Sequence, residues 1–274
     1  MSTRTRERTA VGGRPPYAFV RRVGAAGLPW EQAPDPVSEA DLADLPPAVV
    51  RYLRAMGVVG RPPARSLQAH FVGRFRRRRD QAWMPCDAWQ YNTAPGIARL
   101  FRMRLMVAGV VPMWGWDTYR EGRGRMLGKA LGVVTVADGS GPEFDTGELV
   151  TWLNDAVLMA PSMLLTTRTS WDDMGEDSFR VSVSDAGRTV AAEVFLGGDD
   201  LPRDFVTDDR YADLPGGLVR ATWSTPVPDW VVADGRPRPT GGAAVWHLPE
   251  GEFRYGELRL VELALDVPPG RRDR

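Results

Sequence analysis

Leu67-Gln-Ala-His-Phe-Val-Gly-Arg-Phe75 is the stretch that decides the fold. Leu67, Ala69, Phe71, Gly73 and Phe75 share one parity, and Gln68, His70, Val72 and Arg74 share the other. Successive side chains of a strand point to opposite faces, so this period of two predicts a strand with one face buried. Further along, Phe101, Met103, Leu105 and Val107 alternate with Arg102, Arg104 and Met106 in the same way. Working outward, strands are expected at 83–91, 113–120, 125–136, 166–172, 178–184, 190–196, 218–224, 243–248 and 253–265. Turn sequences separate several of them: Glu121-Gly122, Asp185-Ala-Gly187, Ala233-Asp-Gly235 and Glu250-Gly251. Only two segments carry a helical period. In Ser38 to Met56, Pro46-Pro47 can occupy an early turn, and Val49, Val50, Leu53 and Met56 form a stripe. In Thr146 to Leu165, Thr146 or Asp145 can cap the start. There Leu149, Trp152, Leu153, Ala156 and Met159 recur every three or four residues. Many strands with two helices give the α+β class: a large curved antiparallel sheet, closed as a half-barrel or barrel, with a concave wall.

The organisation along the chain is simple. Residues 1–40 are rich in Arg, Pro and Gly, with Pro15-Pro16, Pro29, Pro34 and Pro36 and no sustained period. They are expected to form a flexible N-terminal arm, pinned by Tyr17, Phe19, Val20 and Trp30. Residues 41–266 are expected as a single ligand-binding domain and 267–274 as a polar tail.

Composition removes whole classes of function. The 35 basic residues, of which only Lys129 is lysine, equal the 35 acidic ones. A neutral chain lacks the excess basic charge that phosphate backbones require, so no nucleic-acid partner is expected. The run Arg76-Arg77-Arg78-Arg79 then reads as a solvated face. The single cysteine, Cys86, can make no internal disulfide, and with two histidines it is too little for a structural zinc site. His70 and His247, the latter beside Trp246, read as structural residues. The N-terminus lacks the apolar core of a signal peptide, and the longest apolar stretches, such as Leu105 to Met113, are too short to span a bilayer. A cytoplasmic location without a membrane span is the expectation. No GxGxxG opens a helix, and there is no GxxxxGK[ST], HExxH or GxSxG. Neither a cofactor nor a metal is expected.

What remains is an unusual supply of adaptable apolar side chains, with ten Trp and ten Met. Such residues wall binding pockets as readily as they fill cores. Trp83, Asp87, Trp89 and Tyr91 share one parity of their strand. In Met113-Trp-Gly-Trp-Asp-Thr-Tyr119, Trp114 and Trp116 share one face and Asp117 and Tyr119 the other, unless a bulge at Gly115 intervenes. Asp155 lies one turn from Trp152 and from Met159. A carboxyl among Trp and Met side chains holds its proton more tightly and can donate it; a helix acid pointing to water is the plainer alternative. Asp117, Tyr119 and Asp155 are therefore the candidate catalytic residues. The candidate walls of their cavity are Trp83, Trp89, Tyr91, Met103, Trp114, Trp116, Trp152, Met159, Trp171 and Trp246.

Several segments together resemble a bacterial family catalogued only as a domain of unknown function. They are Leu45-Pro-Pro-Ala-Val-Val-Arg-Tyr-Leu-Arg54, Trp83 to Tyr91, Asp117 to Gly132, Gly147 to Leu165, Ser170-Trp-Asp172 and Trp246 to Tyr255. The similarity spans roughly residues 45–265. Where the family pattern has Arg-Tyr-Leu-x-Glu in the second helix, this chain has Thr151-Trp-Leu-Asn-Asp155, which implies a reworked pocket. The resemblance implies a curved sheet like those of lipid-binding proteins, with the two helices packed on or plugging its concave side. It implies no activity.

Two functions fit. The first is a cofactor-independent enzyme that folds a bulky apolar molecule for cyclisation or isomerisation in secondary metabolism, by orientation and one buried acid. The alternative is a non-catalytic carrier or sensor of a lipid or apolar metabolite. Both need a cavity of roughly 300–1,000 Å³; an aromatic core without one would leave only a scaffold.

Overall fold

In the computed structural model, which describes residues 13–214 and 216–271, α1 (Tyr17–Gly24) and α2 (Pro47–Ala55) precede a run of hairpins. These are β1 (Ser66–Phe75), β2 (Met84–Thr93), β3 (Ala98–Val107), β4 (Val111–Arg120), β5 (Arg123–Ala130) and β6 (Val134–Ser140), each antiparallel to the one before. Helix α3 (Pro142–Met159) follows, then β7 (Thr169–Asp173), β8 (Ser178–Asp185), β9 (Arg188–Leu196) and β10 (Pro202–Thr207). The hairpin β11 (Tyr211–Leu214) and β12 (Gly217–Arg220), strand β13 (Thr222–Ser224) and the hairpin β14 (Trp230–Ala233) and β15 (Arg236–Pro239) come next. The chain ends with β16 (Gly241–Leu248) and β17 (Gly251–Leu265). The long β17 pairs with β1 on one side and β16 on the other, joining both halves into one 13-stranded antiparallel sheet. Its order is β6-β5-β4-β3-β2-β1-β17-β16-β13-β10-β9-β8-β7, curled as a half-barrel. The α+β class and the curved sheet are those the alternation predicted.

The hairpins turn where the sequence supplies the backbone for it. Glu121-Gly122 has φ of 51° and 74°, and Leu131-Gly132 has 51° and 76°. Two successive left-handed residues match the right-handed twist of the strands they join, and glycine takes the second place without strain. The Leu131-Gly132 turn also corrects the single strand expected at 125–136, dividing it into β5 and β6.

Both expected helices begin elsewhere. Pro46 lacks the N–H a continuing helix needs, so Ser38 to Met56 divides into a 3-10 turn at Glu39–Leu42 and α2, which starts at Pro47. Helix α3 starts at Pro142 behind Gly141, not at Thr146, and stops at Met159 before a 3-10 turn at Pro161–Leu164. Within the segment expected as an arm, Tyr17–Gly24 is helical, with Phe19, Val20 and Val23 buried. The first twelve residues of that arm and the last three of the tail lie outside the described residues.

The two sides of the sheet are covered differently. On the concave side, α3 is buried around most of its circumference, with Leu149, Trp152, Leu153, Ala156 and Val157 almost wholly enclosed. It touches β3 to β6 on one arm of the trough and β9 to β11 on the other. Helix α2 packs beside β7 and β8; Tyr52 lies 5.0 Å from Phe179 and donates its hydroxyl to the Val157 carbonyl at 2.7 Å. On the convex side, α1 sets Phe19 against Trp89 and Trp116, with ring centroids 6.3 and 6.4 Å away. No helix among the described residues is long and apolar enough to cross a membrane.

The seat of α3 depends on one glycine. A Cβ on Gly124 of β5 would lie 2.2 Å from the Phe144 carbonyl oxygen in the first turn of α3. The Gly124 N–H is held by Asp145 Oδ1 at 2.7 Å, and Asp145 Oδ2 accepts from Arg188 at 3.1 Å. Gly124→Ala must push the helix off the strand, and should destabilise the protein by about 1–3 kcal/mol. The control is Gly115→Ala, whose Cβ meets nothing closer than 3.8 Å. Thermal melts of the two variants should separate by several degrees; equal melting temperatures would show that α3 is not seated by this contact.

Candidate functional site

Register places the inner-face residues of β1–β5 in rows across the sheet. One row is Asn92, Arg99, Tyr119 and Gly124; the next is Gln90, Phe101, Asp117 and Met126. The third is Ala88, Met103, Gly115 and Gly128, and the fourth is Cys86, Leu105 and Met113. The rows grade from polar to apolar along the strands, and the third is open because two of its members have no side chain. With α3 above and the β11–β12 hairpin beyond it, this face encloses a cavity of about 420 Å³. Its apolar wall includes Phe71, Phe75, Phe101, Met103, Leu105 and Met113.

The polar part of the site is a buried ion-pair cluster under α3. Arg99 donates from Nε to Asp155 Oδ2 at 2.9 Å and from Nη1 to Glu148 Oε2 at 2.8 Å. Asn92 Nδ2 donates to the same Asp155 oxygen at 3.0 Å. Glu148 and Asp155, seven residues apart, reach one face of α3. Burial pulls the Arg99 guanidinium down, but Asp155 and Glu148 more than offset it and hold it above its ordinary value. Burial pushes the Asp155 carboxyl up, while Arg99 and Asn92 pull it back. The short contacts from two donors fit its ionised form.

Asp117 differs from these two acids. It faces the cavity, and among the described residues no side chain hydrogen-bonds its carboxyl. Burial first, and then Glu148, push it up to about 7, against the pull of Arg99 and Arg210. Arg210, in the link between β10 and β11, lines the opposite wall. Its guanidinium lies 4.2 Å from the Trp223 ring centroid and 5.7 Å from that of Trp246.

Of the residues expected at one cavity, Asp117, Asp155, Met103, Trp114, Met159 and Trp246 border it. The others are elsewhere. Strand β4 has no bulge at Gly115, so strict alternation puts Trp116 on the convex side, in register with Arg102 and Trp89. Trp89 and Tyr91 lie there too, packed with Phe19 of α1; the Tyr91 hydroxyl donates to the Val267 carbonyl at 2.6 Å. Trp83 is outside the cavity, between Arg74 and Arg76 at 4.6 and 4.4 Å. Tyr119 points inward but is fully buried, donating its hydroxyl to Asp185 Oδ2 at 2.8 Å. Trp152 is core, its Nε1 donating to the Thr93 carbonyl at 2.9 Å, and Trp171 packs on Phe179. The expectation of a wall built from all these tryptophans is corrected by parity: Trp89 and Tyr91 of β2 and Trp116 of β4 fall on the side opposite the cavity.

Arg99, Glu148 and Arg210 were not among the expected site residues. Two steps back from Phe101 in the same parity leads to Arg99, a signal present in the sequence. Glu148 reads as an ordinary acid of a first helical turn, and nothing local marks Arg210.

The profile of a family of unknown function, DUF6544, matches residues 35–258. The chain belongs to that family. The matched region of this DUF6544 chain contains every residue of the cluster and Arg210. No curated protein matches the sequence. Among solved structures, this DUF6544 chain is similar to a DUF1329 family protein from Desulfovibrio piger, with 12% identity over 85% of this chain and 95% of that one and a TM-score of 0.43. It is also similar to a LolA superfamily protein from Nitrosomonas europaea, with 13% identity, coverage of 79% and 93%, and a TM-score of 0.41. A third structure, described as an outer membrane lipoprotein-sorting protein domain from Vibrio parahaemolyticus, has 12% identity, coverage of 73% and 85%, and a TM-score of 0.40. These likenesses are too distant to carry a conclusion about this DUF6544 chain.

Proposed function

We propose that the protein is a carrier or sensor that holds a bulky apolar small molecule between α3 and the inner face of the sheet. The observation that supports this is the cavity itself: about 420 Å³, walled mainly by Phe, Met and Leu side chains, with polar groups gathered beside α3. That size and lining are typical of small-molecule sites. The buried, unpaired Cys86 supports placing the protein in a reducing cytoplasm. Native mass spectrometry of the purified protein mixed with cell extract should reveal one retained small molecule per chain.

Gly115→Phe tests the cavity directly. Gly115 has no strained backbone, and the space over it is open to the side chain of Met103 and beyond. A benzyl group there grows into the cavity floor without disturbing the strand. Affinity for a neutral apolar fluorophore should fall about 100-fold or more, roughly 2.7 kcal/mol, while the melting temperature holds. A loss of less than threefold would remove the cavity as the binding site.

A second reading, cofactor-free cyclisation or isomerisation, draws on Asp117, whose carboxyl at about 7 can give up a proton to a bound molecule. Recovery of the bound compound unchanged after prolonged incubation supports the carrier; appearance of an isomer supports the enzyme.

A further inference from the structure

The cavity holds hydrogen-bond donors that lack acceptors. Arg210 and Gln90 line the cavity, and their buried Nε and Nε2 atoms have no hydrogen-bond partner. Among the described residues no carboxylate lies within 4.0 Å of the Arg210 guanidinium, whereas Arg99 is already matched by both Glu148 and Asp155. Leaving buried donors unpaired is costly, and a guanidinium fork is shaped for a planar anion. Arg210 is also held in place: it is stacked on Trp223, and its Nε lies 4.0 Å from where a Cβ on Gly147 would stand. Away from this corner, the inner face passes to Phe101, Met103, Leu105, Met113 and Phe75.

We infer that the ligand is a single-chain amphiphile with a carboxylate head, seated on Arg210 and Gln90 beside Asp117, and with its tail along the apolar rows. This rests on the cavity being a binding site and goes further in naming the head group. Charge decides for an anion over a cation. Besides Asp117, the charged side chains lining the cavity are Arg76 and Arg77 after β1, Arg99 of β3, Arg210 before β11, Asp213 of β11, and Glu143, Glu148 and Asp155 of α3. Arg99 is matched by Glu148 and Asp155 and Arg77 by Asp213, whereas the buried Nε of Arg210 has no acceptor. A carboxylate would supply the acceptor that Arg210 lacks, in the cavity that Gln90 and Asp117 also line. Ionisation of Asp117 sets a second negative charge beside the head, so binding weakens as pH rises.

The test titrates dodecanoate, dodecan-1-ol and dodecylamine, each below its aggregation concentration, into the full chain and reads tryptophan fluorescence or heat. At pH 6 dodecanoate should bind at least tenfold more tightly than the alcohol, and that preference should shrink by pH 8.5. Arg210→Met should erase the preference while leaving the alcohol's affinity within about twofold, and Arg210→Lys should restore part of it. A melting curve for each variant separates lost recognition from lost fold. Equal binding of acid and alcohol, tightest binding of the amine, or a preference that survives Arg210→Met in a folded variant would overturn the carboxylate head while leaving the cavity reading intact. If none of the three binds to folded protein, the cavity reading falls, and the head group with it.

Discussion

Replacing Arg99 by methionine should destabilise the protein by about 3–5 kcal/mol, the usual consequence of removing one partner from a buried ion pair. Methionine keeps most of the stem's volume, so the loss isolates the charge. The side chain of Arg99 is 5% exposed, and those of Glu148 and Asp155 are 10% and 9% exposed. Without the guanidinium, two carboxylates remain in one buried pocket with Asn92 as the remaining donor to Asp155. They must either take up protons or repel each other. For a chain of this length each kcal/mol moves the melting temperature by about 2–4 °C, so a drop near 10 °C is expected. Stability of the variant should improve at low pH, where the two acids become neutral. The triple variant Arg99→Met, Glu148→Gln, Asp155→Asn should recover much of the loss, because it removes the stranded charges along with their partner. A triple variant as unstable as the single one would assign the effect to packing.

Arg99 belongs to a strand whose alternation is plain in the sequence, yet nothing in that alternation marks it as a site residue. Alternation identifies which residues share a face, and the pattern from Phe101 to Val107 did so correctly. It does not say which face is concave when both carry apolar groups. In β2 one parity carries Trp89 and Tyr91 and the other carries Ala88 and Gln90; bulk suggested that the tryptophans lined the interior. They do pack against other residues, but on the convex side beneath α1, an eight-residue helix too short to show a period among its neighbouring prolines and arginines. The cavity forms where side chains are missing, at Gly115 and Gly128, so the space-filling Trp89, Tyr91 and Trp116 pointed away from it. Parity did separate Asp117 and Tyr119 from Trp114 and Trp116, and the i, i+3 and i+4 stripe of α3 left Asp155 beside its apolar face. Arg210 is different in kind. It reaches the site only because the sheet curls until β10, and the β11–β12 hairpin beyond it, face β4 across α3, a long-range consequence with no local pattern.

Asp117 should make the ligand-free protein less stable as pH rises from about 4 to about 7, and Asp117→Asn should remove that part of the dependence. A carboxyl held at about 7 in the folded protein, against an ordinary 3.8, penalises the fold wherever the unfolded chain has ionised it. Below pH 4 the group is protonated in both states and contributes no difference. Between pH 4 and pH 7 the unfolded chain loses the proton and the folded one does not, so the folded state binds more protons and stability falls with rising pH. Above pH 7 the full penalty is present, at most about 4 kcal/mol for a shift of this size and nearer 2 kcal/mol once water in the cavity is allowed for. Asparagine mimics the neutral acid, so the variant should match the parent near pH 3.5 and melt several degrees above it at pH 8.5. Asp204, which burial raises to about 6, depresses parent and variant alike in the same pH range. It therefore cancels in the difference between them, which is the quantity to measure. Parent and variant curves that stay parallel from pH 4.5 to 8.5 would mean that Asp117 is ionised throughout, and a cavity wall with an ordinary carboxylate could neither donate a proton nor accommodate an anion beside it.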